Sequence, residues 1–148
     1  MPTDNIHASA VLLGDRGVVI SGPSGSGKTT LALALLDRFN SRGIFSRLVC
    51  DDQILVRTVD GRVICNTPEP IAGLIEVFGL GPRQIGHEAR MIADLLVQLV
   101  PYQQAERFPE PAHGVLAGCQ ISRLQLAAGS AASATQAVAA WLAASPFG

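Results

Sequence analysis

The stretch VVISGPSGSGKTTL, residues 18–31, decides the fold of this chain. The pattern GxxxxGK(S/T) lies within it, filled by Gly22, Pro23, Ser24, Gly25, Ser26, Gly27, Lys28 and Thr29. An apolar run precedes the pattern, and apolar residues recur at helical spacing after it, at Leu31, Leu35, Leu36 and Phe39. Because a strand before and a helix after give this pattern its structural context, the stretch predicts an α/β protein that binds a nucleotide.

Each residue type in this loop has a chemical reason. The glycines let the backbone wrap closely around a phosphate chain with its N–H groups pointing inward. The helix that starts near Lys28 directs the positive end of its dipole at the same anion. Lys28, the single lysine of the chain, is suited to the β- and γ-phosphates, and the Thr29 hydroxyl is suited to Mg²⁺. Thr30 completes the predicted nucleotide-binding set.

Composition narrows the class of protein. The 148 residues suffice for one domain with a core, and 48% hydrophobic against 16% charged residues is a globular composition. The net charge of −1 gives no electrostatic reason for a nucleic-acid or membrane partner. No apolar stretch reaches the about 20 residues of a membrane span, and the N-terminus lacks the features of a signal peptide. Three widely spaced cysteines form no disulfide framework, and Cys50 and Cys65, which lie in apolar runs, are expected to be buried free thiols in a reducing, cytoplasmic setting.

The remaining chain divides into short elements. Strands are predicted at 11–13, 18–20, 48–50, 54–59, 62–65 and 75–78, with a Gly-Asp-Arg-Gly turn between the first two. Asp60-Gly61 is a strong two-residue hairpin turn. Residues 90–99 fit either a short helix or a buried strand. The segment 101–113 is polar and rich in proline, which favours a surface connection, and the alanine-rich segment 130–145 predicts a helix anchored by Trp141 and Leu142.

Four side chains outside the loop are candidates for chemistry. Asp51 and Asp52 follow the strand 48–50, and in an α/β sheet the carboxyl ends of strands form the ligand crevice. There one carboxylate could hold Mg²⁺ and the other take a proton, since neighbouring side chains of a strand point in opposite directions. A solvated strand end or a helix cap explains the pair equally well. Glu76, the one charge in an apolar run, faces either solvent or a site, and His7 on its residues alone is an ordinary surface histidine.

The order of these elements resembles the catalytic domain of the HPr kinase/phosphorylase family, bacterial enzymes that act on a seryl residue of the phosphocarrier protein HPr. That family has a histidine before a two-strand lead-in, a P-loop, a strand ending in Asp-Asp and a signature of the form L-E-I-R-G-L-G. Here His7, the loop 22–29, the sequence LVCDD and the sequence IEVFGLG at 75–81 follow in the same order. The resemblance covers about residues 7–100 and implies a P-loop kinase fold, similar to that of phosphoenolpyruvate carboxykinase.

The resemblance implies a role for each matching residue. Lys28 is expected to bind phosphate and to be catalytic, and Thr29, Glu76 and Asp52 are expected at the metal. Asp51 is expected to be the base that accepts the serine proton. His7 is expected to be an active-site histidine near the nucleotide phosphates.

The chain also departs from the family pattern. Phe78 stands where the signature has arginine, and the later catalytic arginine and C-terminal segment of the family find no match, with Arg83 and Arg90 as local substitutes. The family's N-terminal domain is expected to be absent, so that 1–148 is a single P-loop kinase domain like the compact proteobacterial forms. Such a form implies kinase activity rather than the phosphate-driven reverse reaction.

The resulting expectation is an ATP- and Mg²⁺-dependent serine kinase that phosphorylates HPr and regulates the phosphotransferase system. The family implies a homo-oligomer, specifically a hexamer. Two alternatives stay open on the residues: a P-loop kinase acting on a small molecule, and a nucleotide-binding regulatory module without transferase activity. The second of these is favoured by the missing arginine.

Overall fold

The computed structural model describes residues 3–144 and 146–147. The strands are β1 Asp4–Ile6, β2 Ala8–Leu13, β3 Arg16–Ser21, β4 Ser46–Cys50, β5 Ile54–Val59, β6 Arg62–Asn66, β7 Leu74–Val77, β8 Gly81–Gln84, β9 Arg90–Val100, β10 Ala112–Leu116 and β11 Cys119–Ala127. The helices are α1 Lys28–Ser41 and α2 Ala131–Trp141, with 3₁₀ turns at Glu69–Ile71 and Tyr102–Gln104. Neither α-helix of this described part is long and apolar enough to cross a membrane. The architecture confirms the predicted α/β class.

Nine strands of the described chain form one mixed sheet. Seven of them follow the order β1-β5-β6-β9-β3-β2-β4, and β11 joins the sheet along β9 with β10 on its outer side. Strands β3, β9 and β11 run parallel, with Val18 opposite Leu95 and Ser122 opposite Leu95 on the other edge of β9. Their carboxyl ends therefore meet at one edge of the sheet, which is where the loop 22–27 begins. This topology places the phosphate-binding loop in the crevice that α/β sheets use for ligands.

The side chains of the sheet alternate between two cores. Val18 and Ile20 of β3 pack in the cluster under the two helices, whereas Val19 packs in the cluster on the opposite face. Helix α1 contributes the four apolar residues that the sequence singled out, all buried: Leu31, Leu35, Leu36 and Phe39. Trp141 and Leu142 pack against the same cluster as partly buried anchors, as predicted. Ser145, the end of the predicted C-terminal helix, lies outside the described residues.

Both predicted hairpins are confirmed. Strands β2 and β3 pair with Val11 opposite Val18, and β5 pairs with β6 around a turn whose residues Asp60 and Gly61 both have positive φ, 52° and 75°. Such a turn matches the right-handed twist of its strands. The two-stranded sheet of β7 and β8 forms a separate hairpin with its tip at 78–80.

Two parts of the chain could not be assigned from the sequence, and the structure shows what they form. The undecided segment 90–99 is strand β9, and its second half is buried on both faces, which explains why its continuous apolar run did not distinguish a strand from a helix. The hairpin of β10 and β11 was not predicted. The predicted surface connection 101–113 is therefore wrong at its end, because Ala112 and His113 already pair in this hairpin.

The thiols of Cys50 and Cys65 are buried and that of Cys119 is partly exposed, so their reactivities test the fold. Burial raises the pKa of the Cys65 thiol to about 12 and raises the pKa of Cys50 well above its ordinary value. Cys119 is partly exposed and donates a hydrogen bond to the Gly61 carbonyl at 3.2 Å. We expect the native protein to react with one equivalent of a thiol reagent at pH 8, the Cys119→Ser variant with none, and the unfolded protein with three. Rapid native reaction of a second thiol would contradict this packing.

Candidate active site

The loop before α1 is shaped to receive an anion. Gly27, the residue before the helix, has a φ of 96°, a left-handed value that favours glycine. Within the described part of the chain, no side chain caps this end of the helix, and its first turn carries no acidic residue. Since the first N–H groups of an α-helix have no acceptor within the helix, they are left to bind a ligand here.

Lys28 and Ser26 are the buried polar groups of this loop. Lys28 is only 6% exposed, and its Nζ donates to the carbonyls of Gly22 at 2.9 Å and Pro23 at 3.2 Å. Ser26 is 5% exposed, and among the described residues its Oγ has no hydrogen-bond partner. A Cβ on Gly22 would come within 2.6 Å of that oxygen. A buried ammonium and a buried, unpaired hydroxyl at a helix start fit the phosphate chain of a nucleotide.

Asp51 connects three elements at the mouth of the loop. Its Oδ1 accepts hydrogen bonds from the hydroxyl of Ser9 on β2 at 2.9 Å and from the hydroxyl of Thr29 on α1 at 2.8 Å. Its Oδ2 accepts the backbone N–H of Glu76 on β7 at 3.2 Å. The carboxylate is therefore fixed in position beside the hydroxyl that the sequence analysis assigned to the metal.

The Asp52 side chain lies at the mouth of the loop, as the Asp51 side chain does. The Asp52 backbone has a φ of 69°, so the chain has left the extended conformation and the predicted alternation of the two carboxylates does not hold. One Asp52 oxygen contacts His7 Nε2 and lies 3.9 Å from Lys28 Nζ. The Asp52 N–H donates to the Ser9 hydroxyl at 3.2 Å. His7 is thus brought to the site through Asp52.

A cleft of about 390 Å³ unites most of the candidates. Its lining residues are Ser24, Gly25, Gly27, Lys28, Thr29, Thr30, Asp51, Asp52, Glu76 and Phe78. Glu76 is exposed on β7 next to the buried Ile75. Because it also lines the cleft, its side chain is open to both solvent and the cleft. Among the lining residues, Lys28 carries the positive charge, and neither Arg83 nor Arg90 lines the cleft. Both arginines considered as local substitutes thus lie outside the cleft.

Sequence reasoning missed Ser9. This residue is fully buried in β2, and its hydroxyl holds the Asp51 side chain and the Asp52 backbone together. A buried polar residue requires a hydrogen-bond partner, so a lone serine within the apolar strand ASAVLL was the available signal.

The fold and this site define a P-loop protein of the α/β class. The HPr Serine kinase C-terminal domain family model matches residues 1–108, which is more than half of the chain. The chain belongs to that family.

Known relatives agree with this assignment. The HPr kinase/phosphorylase of Bacillus subtilis is 41% identical over 81 residues, and that of Clostridium beijerinckii is 36% identical over 80 residues. Each match covers 54% of this chain and 24% of the relative, so the chain spans about a quarter of the length of the curated relatives it matches. The Hpr(Ser) kinase/phosphatase structure from Coxiella burnetii has the same fold, with a TM-score of 0.76, 23% identity and coverage of 91% of this chain and 93% of that one.

Proposed function

We propose that this protein is an ATP- and Mg²⁺-dependent kinase that phosphorylates a seryl hydroxyl of HPr and so regulates the phosphotransferase system in the cytoplasm. The observation that carries the proposal is the hydrogen bond from Thr29 to Asp51, at 2.8 Å, at the mouth of the P-loop. It joins the proposed metal-binding hydroxyl to the proposed base within one cleft. The family assignment and the names of the relatives support HPr as the acceptor.

The oxygen atoms of the cleft suit Mg²⁺. Magnesium favours oxygen ligands and is commonly held by one or two carboxylates together with substrate phosphates. Thr29 Oγ1, Asp52 and Glu76 are the residues that would hold it. In the described part of the chain, no three acidic, histidine or cysteine side chains form a complete metal site by themselves, which is in keeping with a shared site. When bound, the ion would neutralise charge on the β- and γ-phosphates.

The residues of the site have separate roles in phosphoryl transfer. Lys28 moves its ammonium group from the loop carbonyls to the phosphates, and the N–H groups of the first turn of α1 bind the same chain of phosphates. Asp51 Oδ2 orients the serine hydroxyl and takes its proton, while Oδ1 stays bonded to Ser9 and Thr29. His7 holds Asp52 at the edge of the cleft. Positioning and charge supply most of the rate acceleration in reactions of this kind.

One observation favours a second candidate function. Phe78, at the position of the signature arginine, is 99% exposed at the tip of the β7–β8 hairpin and lines the cleft. With no arginine in that lining, Lys28 alone supplies the side-chain positive charge there. A regulatory module that binds a nucleotide without transferring phosphate would have such a site.

A phosphorylation assay tests the proposal. Protein, HPr of the same organism, Mg²⁺ and γ-labelled ATP are incubated, beside HPr in which the candidate serines are replaced singly by alanine. We expect label on HPr that one of these replacements abolishes. Tight ATP binding without label on HPr would overturn the kinase proposal and support the regulatory module.

A further inference from the structure

A second cavity lies on the other side of the phosphate-binding loop. It has a volume of about 200 Å³, between the start of α1 and the loop that joins β11 to α2. Its lining residues are Ser26, Gly27, Thr30, Leu31, Leu99, Ala127, Gly129, Ser130, Ala131 and Ala134. The lining contains no charged side chain, in contrast to the cleft with Asp51, Asp52 and Glu76.

The loop connects the two cavities. Gly27 and Thr30 line both of them, and the N–H of Gly129 donates to the Ser26 carbonyl at 3.3 Å. Ser26, whose buried hydroxyl lacks a hydrogen-bond partner among the described residues, also lines the apolar cavity. A phosphate chain that lies along this loop therefore has acidic, metal-binding groups at one end and a small apolar cavity at the other.

We propose that the apolar cavity is the base subsite: it takes the purine ring of the nucleoside triphosphate whose phosphates occupy the loop. This inference rests on the proposed function and adds to it the position of the nucleoside. The γ-phosphate must lie toward the carboxylates that act on it, so the nucleoside end must leave the loop on the opposite side, beside Thr30 and Leu31.

The chemistry of the lining suits a flat aromatic ring. Leu31 and Leu99 supply apolar surface, and the small side chains of Ala127, Ala131 and Ala134 leave room between the two helices. Leu99 and Ala127 stand at the carboxyl ends of the parallel strands β9 and β11, where α/β proteins bind ligands. Polar contacts come from few groups, which is the usual composition of a small-molecule site.

The test separates binding of the base from binding of the phosphates. The affinities of ATP and of inorganic tripolyphosphate are measured by calorimetry with Mg²⁺, for the wild type and for Ala131→Phe. Ala131 is half-buried at the start of α2 and is not itself a core residue, so a phenylalanine there is expected to fill the cavity. We expect ATP affinity to fall about tenfold, the equivalent of a lost ring contact of about 1.4 kcal/mol, with tripolyphosphate affinity unchanged.

The neighbouring Ala132→Phe is the matched control, since Ala132 is exposed on the same helix turn and does not line the cavity. It should bind both ligands like the wild type. An Ala131→Phe protein with wild-type ATP affinity, or one that loses both ligands equally, would overturn the base subsite. Ala127→Leu repeats the measurement from the strand side if Ala131→Phe is misfolded by circular dichroism. A wild type that binds neither ligand would instead refute the proposed function itself.

Discussion

Asp51→Asn is expected to lower the rate of phosphoryl transfer to HPr by about 10²- to 10⁴-fold, the contribution typical of a positioned general base. The asparagine keeps the shape of the side chain, and its carbonyl oxygen can still accept the hydroxyls of Ser9 and Thr29. Its NH₂ group, at the position of Oδ2, has no lone pair for the serine proton and no longer accepts the Glu76 N–H. ATP affinity should remain near the wild-type value, because the proposed function assigns the phosphates to Lys28 and backbone N–H groups and not to Asp51.

The matched control is Ser9→Ala. It removes the hydroxyl that donates to Asp51 Oδ1 and accepts from the Asp52 N–H, but it leaves both carboxylates in place. A positioning residue of this kind should cost much less rate than the base itself, and rate and ATP affinity should be measured on both variants. Full activity of Asp51→Asn would show that the base is another group, and equal losses of rate and ATP binding would place Asp51 in nucleotide binding alone.

Much of the fold followed from local patterns. The helix α1 was predictable because its apolar residues repeat at the helical period, and the β5–β6 hairpin because Asp60-Gly61 suits the twist of its strands. The loop between β3 and α1 was predictable because the pattern GxxxxGK(S/T) fixes the residue types at its key positions, between an apolar run and a helical repeat. These signals lie within a few residues of one another, which is why a single sequence reveals them.

The remaining features of the fold and of the site depend on contacts between segments that are far apart in the sequence. The sequence placed Asp51 at a strand end, but the Ser9, Thr29 and Glu76 groups that fix it come from three other elements. Strand β9 was ambiguous because it has neighbouring strands on both edges and its second half is buried on both faces. The apolar cavity beside the loop required the position of α2 against α1, which no local pattern encodes.

Lys28→Ala is expected to weaken ATP binding by about 10- to 100-fold, the range given by loss of a hydrogen bond to a charged group. Lys28 is the single lysine of the chain. Its buried ammonium donates hydrogen bonds to the carbonyls of Gly22 and Pro23, at 2.9 and 3.2 Å, and lies 3.9 Å from the partly exposed Asp52 carboxylate. Carbonyl dipoles compensate a buried charge less fully than an anion does, so a phosphate chain is the better partner. Calorimetry with ATP and tripolyphosphate measures the loss.

The two ligands should be affected equally in this variant, because the proposed role of Lys28 is to bind phosphate and not the base. That pattern distinguishes it from the cavity-filling Ala131→Phe, which should affect ATP alone. Lys28→Arg is the control for charge: the planar guanidinium keeps the positive charge but cannot occupy the compact position between the two carbonyls, so binding should be restored only in part. If Lys28→Ala binds ATP like the wild type, the ammonium group serves the structure of the loop, and the phosphate chain must be held by the N–H groups of α1 without it.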